Sequence, residues 1–261
     1  MGAVDADEHH DALRRSLQWD GCFNVRDLGG LQTASGGRTR RGVVVRADNV
    51  RRLTSAGWQA ALDHGVRRVV DLRFENEVPG EPDAHGDVDV VIVPMRAGHN
   101  PDASHAFEQA LLNADDLAPV FATGYIEMLE DLSERVGGAV AAVADAKDGE
   151  GVVVHCFAGK DRTGIVSALL LALAGVPDEL IAADYAASDP GVELLSTPWF
   201  ESARDETQLT IRRRVSTSPR AAMVDVLAWL HESAGGPDEY LRSAGLSDLQ
   251  LATLRARLID A

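Results

Sequence analysis

One stretch, Gly151 to Gly175, constrains this chain more than any other. Gly151-Val152-Val153-Val154-His155 is a short β-branched run of the kind that forms a buried strand, and Ile165 to Val176 is apolar throughout except for Ser167. The apolar stretch falls well short of the roughly 20 residues needed to span a bilayer, so it reads as a buried helix. That helix is expected from about Thr163 to Ala174, with Gly175 as its cap. Only Cys156 to Arg162 join strand to helix, which puts a short loop directly against a helix N-terminus.

Composition decides what such a loop can serve. The 261 residues, 45% apolar and 25% charged, fit an ordinary globular domain rather than a disordered, collagenous or membrane chain. Forty-one acidic against 25 basic side chains leave a formal charge of -16, which repels nucleic acid and anionic lipid. An anionic ligand therefore needs a local basic pocket. With Cys22 and Cys156 as the only cysteines, no disulfide framework holds the fold, and a reducing, cytoplasmic compartment fits best. Residues 1–15 read as a flexible acidic tail without the apolar core of a secretory signal, and residues 16–261 as a single domain. Neither nucleic-acid binding nor stable membrane insertion is expected.

The remaining pattern is mixed α/β. Val25 to Gly37 carries the paired glycines of tight turns, and a strand is expected at Val43 to Ala47. Thr54 opens a helical stretch in which Trp58, Ala61 and Leu62 share a face and Gly65 marks the stop. Val66 to Arg73 and Val88 to Val93 both read as interior strands. Pro101 to Lys147 is largely helical, and the C-terminal third is helical throughout, including Pro177 to Ala187, Arg220 to Glu232 and Asp248 to Leu258.

The loop's chemistry follows from its residue types. In His155-Cys156-Phe157-Ala158-Gly159-Lys160-Asp161-Arg162-Thr163-Gly164, successive N–H groups from Phe157 and Ala158 onward can point inward at phosphate oxygens, with the helix dipole behind them. Arg162 adds a planar fork that matches two phosphoryl oxygens and follows their charge into the transition state. Cys156 lies beneath the phosphorus, where the same donors favour thiolate over thiol. Gly159 allows close backbone approach, Lys160 is expected as a second cation at the rim, and the Thr163 hydroxyl can bond the sulfur as it leaves. A nucleotide-binding P-loop is excluded, because Asp161 follows Lys160 and Val154 stands where the first glycine should be.

His-Cys-(five residues)-Arg-Thr-Gly resembles the active-site loop of the cysteine-dependent protein tyrosine and dual-specificity phosphatases. Asn24-Val25-Arg26-Asp27-Leu28-Gly29-Gly30, Val70-Asp71-Leu72-Arg73 with Glu77, Asp184-Tyr185 and Asp238-Glu239-Tyr240-Leu241 are similar to a bacterial branch with mycobacterial members. The resemblance spans about Phe23 to Leu258. It implies a phosphatase fold, with a small, mostly parallel sheet flanked by helices and the loop at the carboxyl end of a central strand. It also implies phosphomonoester hydrolysis through a phosphocysteine on Cys156, with inorganic phosphate as product. Phosphorylated proteins or phosphoinositides are the substrates it implies.

Hydrolysis also needs a carboxyl group that protonates the leaving oxygen and then activates water. Pro94 to Pro101 contains no acidic residue, so the choice falls on Asp161, inside the cradle, with Asp102 and Asp71 as alternatives; the branch carries an Asp at the Asp161 position. Asn24, Arg26 and Asp27 read as a supporting shell, and Cys22 permits a reversible disulfide with Cys156. Pro101 to Leu132 and Trp199 to Thr217 either cover the loop or pack as core. Arg212, Arg213 and Arg214 read as an exposed helix face. No metal or cofactor is implied, since the histidines lack ligand spacing. A phospho-binding module without turnover is the reading from another class.

Overall fold

The computed structural model describes residues 14–74, 77, 85–86, 88–95 and 101–260, apart from the side chains of residues 101 and 103. Most of the expected tail and residues 96–100 lie outside this range. Arg15, counted with the tail in the sequence reading, is buried and bonds Asp184, so the folded part includes it.

Among the described residues five strands form one sheet: β1 (Arg26–Asp27), β2 (Val44–Ala47), β3 (Val66–Asp71), β4 (Asp89–Ile92) and β5 (Gly151–His155), in the order β1-β2-β5-β3-β4. Only β1 runs antiparallel to its neighbour. Every residue of β5 is buried, as expected for a central parallel strand covered on both faces. The strand expected at Val88 to Val93 is not interior: β4 is the sheet edge, and its residues are only partly covered. Apolar residues of this stretch pack on both faces, Val91 and Val93 against the larger cluster and Val88 and Val90 against the smaller, and period alone does not separate an edge from a centre.

The strand period of two splits the core. Val152 and Val154 of β5 join Val44, Val70 and Leu72 in the larger cluster, whereas Val153 joins Val45, Ala47 and Val69 in the smaller one. The smaller face is closed by helix α1 (Ser55–Asp63), capped by the Thr54 hydroxyl, which accepts from the Gly57 N–H. Trp58 and Ala61 of α1 pack there beside Trp19.

On the larger face lie α2 (Pro101–Asn113), α3 (Ala118–Asp131), α4 (Ser133–Ala144), α5 (Asp161–Leu173), α6 (Asp178–Ala186), α8 (Glu206–Val215), α9 (Arg220–Glu232), α10 (Gly236–Ser243) and α11 (Asp248–Leu258), while α7 (Asp189–Glu201) brings Gly191 against Phe23 and Asn24. The expected helices at 220–232 and 248–258 form as drawn. Helix α5 begins at Asp161 rather than near Thr163, so the loop is two residues shorter than expected. Its mean composition is apolar on all sides, and all but two of its residues are buried, as a central helix requires. Of the two segments weighed as covers, α3 is core: Phe121, Tyr125 and Leu129 are buried in the larger cluster. The other includes α8, which buries no residue.

Candidate active site

The β5 strand delivers His155 and Cys156 to the sheet's carboxyl edge, and the chain then turns through Phe157 to Lys160 into α5. Cys156 is buried, and its neighbour Phe157 is 52% exposed. Gly159 has φ +67°, and a Cβ there would lie 2.6 Å from the Ala47 carbonyl. Only glycine accommodates both the left-handed conformation and that approach.

The loop's carbonyl groups face the scaffold. Asn49 N–H donates to Phe157 O across 3.1 Å, Asn24 Nδ2 to Ala158 O across 2.9 Å, and Arg46 Nη2 to Gly159 O across 2.7 Å. Among the described residues no acceptor engages the N–H groups of Phe157 to Arg162. These donors sit at the N-terminus of a thirteen-residue helix, where the backbone dipole is positive.

Arg162 leaves the first turn of α5 largely buried. Glu77 receives it as a fork, with Nη1 to Oε2 at 2.7 Å and Nη2 to Oε1 at 3.2 Å, and Leu72 O accepts from Nη1 at 3.3 Å. The guanidinium also stacks 4.1 Å from the Phe74 ring centroid. Burial favours its neutral form, but the charges of Cys156, Glu77 and Asp161 outweigh this and hold the proton more firmly than usual. Burial likewise raises the Glu77 carboxyl, and the Arg162 fork with the Phe74 N–H more than offsets it, leaving Glu77 below its ordinary value.

Lys160 does not stand at an open rim. Its ammonium is buried, 2.7 Å from Asp161 Oδ1, donating to Thr217 O across 3.0 Å and lying 4.3 Å from the Phe121 ring centroid. Asp161, the Thr217 carbonyl and an aromatic face supply the partners a buried ammonium needs. Thr163 is fully buried in the first turn of α5, and its Oγ1 has no hydrogen-bond partner among the described residues.

The three carboxyl groups weighed as acid and base are placed very differently. The Asp161 side chain keeps 38% of its surface and accepts from the Tyr125 hydroxyl at 2.5 Å. Burial would raise its carboxyl, but Lys160 first, then Tyr125 and Arg162, hold it below the usual carboxylate range. Asp71 is buried, and its two oxygens are both taken by Arg73, with Nη2 to Oδ2 at 2.6 Å and Nε to Oδ1 at 2.9 Å. Asp102 is exposed in the first turn of α2.

The supporting shell extends beyond Asn24, Arg26 and Asp27. Asp27 caps two turns, accepting from Gly29 N–H and Gly42 N–H at 2.7 and 2.8 Å. Asp48 accepts from the Phe23 and Asn24 N–H groups, and Asn49 Oδ1 accepts from Arg73. Cys22 donates to Asn49 O at 3.5 Å, and burial, with Asp48 nearby, pushes its thiol well above an ordinary one. Both cysteines are free thiols. In the Arg212 to Arg214 cluster, Arg214 bonds the carbonyls of Leu112 and Ala114, tying α8 to the end of α2.

Five contributors have no role in the sequence analysis: Arg46, Asp48, Asn49, Tyr125 and Glu77 as the partner of Arg162. One signal was available for Arg46, a charged side chain in the middle of an otherwise apolar strand, which demands a buried partner. Tyr125 carries no such signal, because an aromatic residue at helical spacing reads as core.

Residues 17–260 match the tyrosine phosphatase family. The chain belongs to that family and is, by enzyme class, a protein-tyrosine phosphatase. It is 28% identical to the triple specificity protein phosphatase PtpB of Mycobacterium tuberculosis over 92% of this chain and 97% of that protein. It is also 32% identical to a tyrosine-protein phosphatase of Nostoc commune, over 83% of this chain and 74% of that one. No helix among the described residues is long and apolar enough to cross a membrane.

Proposed function

We propose that Cys156, Arg162 and Asp161 carry the phosphatase reaction, with the Phe157 to Lys160 backbone and the Thr163 hydroxyl as the phosphate-binding surface. The observation that carries this reading is the loop's division of labour: its carbonyl groups are taken by the scaffold, while among the described residues its N–H groups have no acceptor. In the first step the Cys156 thiolate attacks phosphorus. The S–P bond forms, the bond from phosphorus to the leaving oxygen breaks, and the Asp161 carboxyl supplies that oxygen's proton. Arg162 and the loop N–H groups stabilise the charge on the equatorial oxygens. In the second step water attacks the phosphocysteine, its proton passes to the Asp161 carboxylate, the S–P bond breaks and inorganic phosphate leaves. Asp161 is preferred over Asp71 and Asp102 because it begins the helix that follows the loop, one residue from Arg162, whereas both oxygens of Asp71 are taken by Arg73 and Asp102 is exposed on α2.

Phosphorylated proteins are the substrates this reading favours over phosphoinositides. Two observations support it: the exposed Phe157 ring offers an aromatic surface beside the nucleophile, and Lys160 is turned inward and engaged, away from a second phosphate. A thiolate nucleophile has to stay reduced, which fits a cytoplasmic site of action. The test compares metal-free phosphate release from phosphotyrosine, phosphoserine and phosphothreonine peptides and from inositol phosphates, in the native chain and in Cys156→Ser. Turnover on the peptides that vanishes in Cys156→Ser is expected. Preference for inositol phosphates overturns the substrate reading, and phosphopeptide binding without turnover makes the protein a binding module.

A further inference from the structure

Arg46 projects from the middle of β2 toward the loop, and both its terminal nitrogens are committed. Nη1 donates to Asp184 Oδ2 at 2.6 Å, and Nη2 donates to Gly159 O at 2.7 Å and to Ser188 Oγ at 3.2 Å. Arg46 and Asp184 are each about 1% exposed. Asp184 is itself fixed from two further sides, by Arg15 at 2.7 Å and Arg26 at 3.5 Å. Burial would raise its carboxyl, but these three arginines hold it far below the carboxylate range, so the anchor stays ionised.

What Arg46 grips is one end of a peptide plane. In a trans peptide the C=O of one residue and the N–H of the next point in opposite directions. Gly159 O and the Lys160 N–H share such a plane. Holding that carbonyl toward the scaffold turns the Lys160 N–H to the other side, where phosphate is bound. This is also the plane most free to rotate, because it follows the glycine at φ +67°. The two preceding planes are held by Asn24 and by the Asn49 backbone, a side-chain amide and a main-chain N–H. Only the glycine plane depends on a charged side chain from a neighbouring strand. Rotation of that plane would turn a carbonyl oxygen toward the phosphate and remove a donor from it.

We infer that Arg46, locked by Asp184 and Ser188, is a positioning residue for phosphate recognition: it holds the Gly159–Lys160 peptide in the orientation that presents the Lys160 N–H to substrate. The inference rests on the reading of Cys156 to Arg162 as the phosphate site. It assigns a role in recognition to a side chain that does not touch the phosphate.

The experiment uses the full chain and inorganic phosphate as probe, with Arg46→Met removing the contacts to Asp184, Gly159 and Ser188 and Arg46→Lys keeping the charge but not the two-armed bridge. Thermal unfolding establishes which variants fold. Phosphate affinity is read by NMR, following the amides of Ala158, Gly159 and Lys160, and kcat and KM are measured on an aryl phosphate. In the native protein all three amides respond to phosphate. Arg46→Lys is expected to fold, to bind phosphate at least tenfold more weakly, and to lose the Lys160 response while keeping that of Ala158. Arg46→Met, where it folds, does the same more severely. A folded Arg46→Lys with phosphate affinity within twofold of native and an unchanged Lys160 response overturns the inference, as does a native Lys160 amide that ignores phosphate. Retained turnover in Cys156→Ser alongside the expected Arg46 results overturns the nucleophile assignment alone.

Discussion

The Tyr125 hydroxyl donates to Asp161 Oδ1 across 2.5 Å, and the Tyr185 hydroxyl lies 2.7 Å behind it. Helices α3 and α6 thus meet in a pair of hydroxyl groups, through which α3 contacts the carboxyl group at the start of α5. Burial pushes the Tyr125 phenol up, with Asp161 and Tyr185 adding to the effect, so Tyr125 keeps its proton and remains a donor.

The sign of that contact gives the first prediction. Tyr125 helps hold Asp161 below the ordinary carboxylate range, so Tyr125→Phe moves the Asp161 titration to higher pH. Activation of water needs the ionised carboxyl. The acid limb of the kcat profile therefore shifts upward in pH in Tyr125→Phe, measured by steady-state hydrolysis of an aryl phosphate whose leaving group needs no protonation. An unmoved acid limb would show that Asp161 is not the group titrating.

Arg162 and Glu77 form a planar two-point contact with nitrogen–oxygen distances of 2.7 and 3.2 Å. A lysine keeps the charge but cannot reproduce the fork toward Glu77 or toward two phosphoryl oxygens. Arg162→Lys should lower kcat/KM by about a hundredfold to a thousandfold, the range for loss of one preorganised oxyanion donor. Glu77→Gln should cost less, chiefly in KM, because the guanidinium remains and only its orientation is released. Kinetics on one aryl phosphate distinguish the two.

Gly159→Ala tests the backbone rather than a side chain. The new methyl group would lie 2.6 Å from the Ala47 carbonyl, at a φ of +67°. Strain of this kind costs on the order of 1–3 kcal/mol. Urea unfolding should show that loss of stability, and phosphate binding should weaken with it. A variant with native stability and affinity would mean that the loop has another accessible shape.

Acid should unfold this protein through identifiable carboxyl groups. Asp27, Asp71, Glu77 and Asp184 all lie below their ordinary values in the folded state. Groups depressed on folding contribute stability that is fully present above their unfolded pKa, about 4, and is lost as pH falls through the folded value. The urea midpoint should hold near neutrality and decline below about pH 4–5. Asp184→Asn should flatten that decline, at a cost of about 3–5 kcal/mol at neutral pH for breaking a buried pair.

The geometry of the loop was readable from residue types because it is local: a strand end, a short connection and a helix start are consecutive in the chain. The placement of Cys156 just past the strand and of Arg162 in the first turn of the helix needed no tertiary information. Lys160 was misplaced because its partners, Phe121 and Thr217, are distant in sequence, and an ammonium group is turned inward only where such partners meet. The same reason hid Arg46, whose function depends on Gly159 and Asp184 arriving from other elements. Strand existence at Val88 to Val93 was legible from its β-branched run, whereas its edge position depends on strand order, which no local pattern encodes.

The central claim, that the reaction passes through Cys156, is tested most directly by acid-quenching the native protein during turnover of an aryl phosphate and mapping the bound phosphate by mass spectrometry. The expected result is one phosphate on the sulfur of Cys156, absent from Cys156→Ser, which has no turnover. Phosphate on any other side chain, or turnover retained by a folded Cys156→Ser, contradicts it.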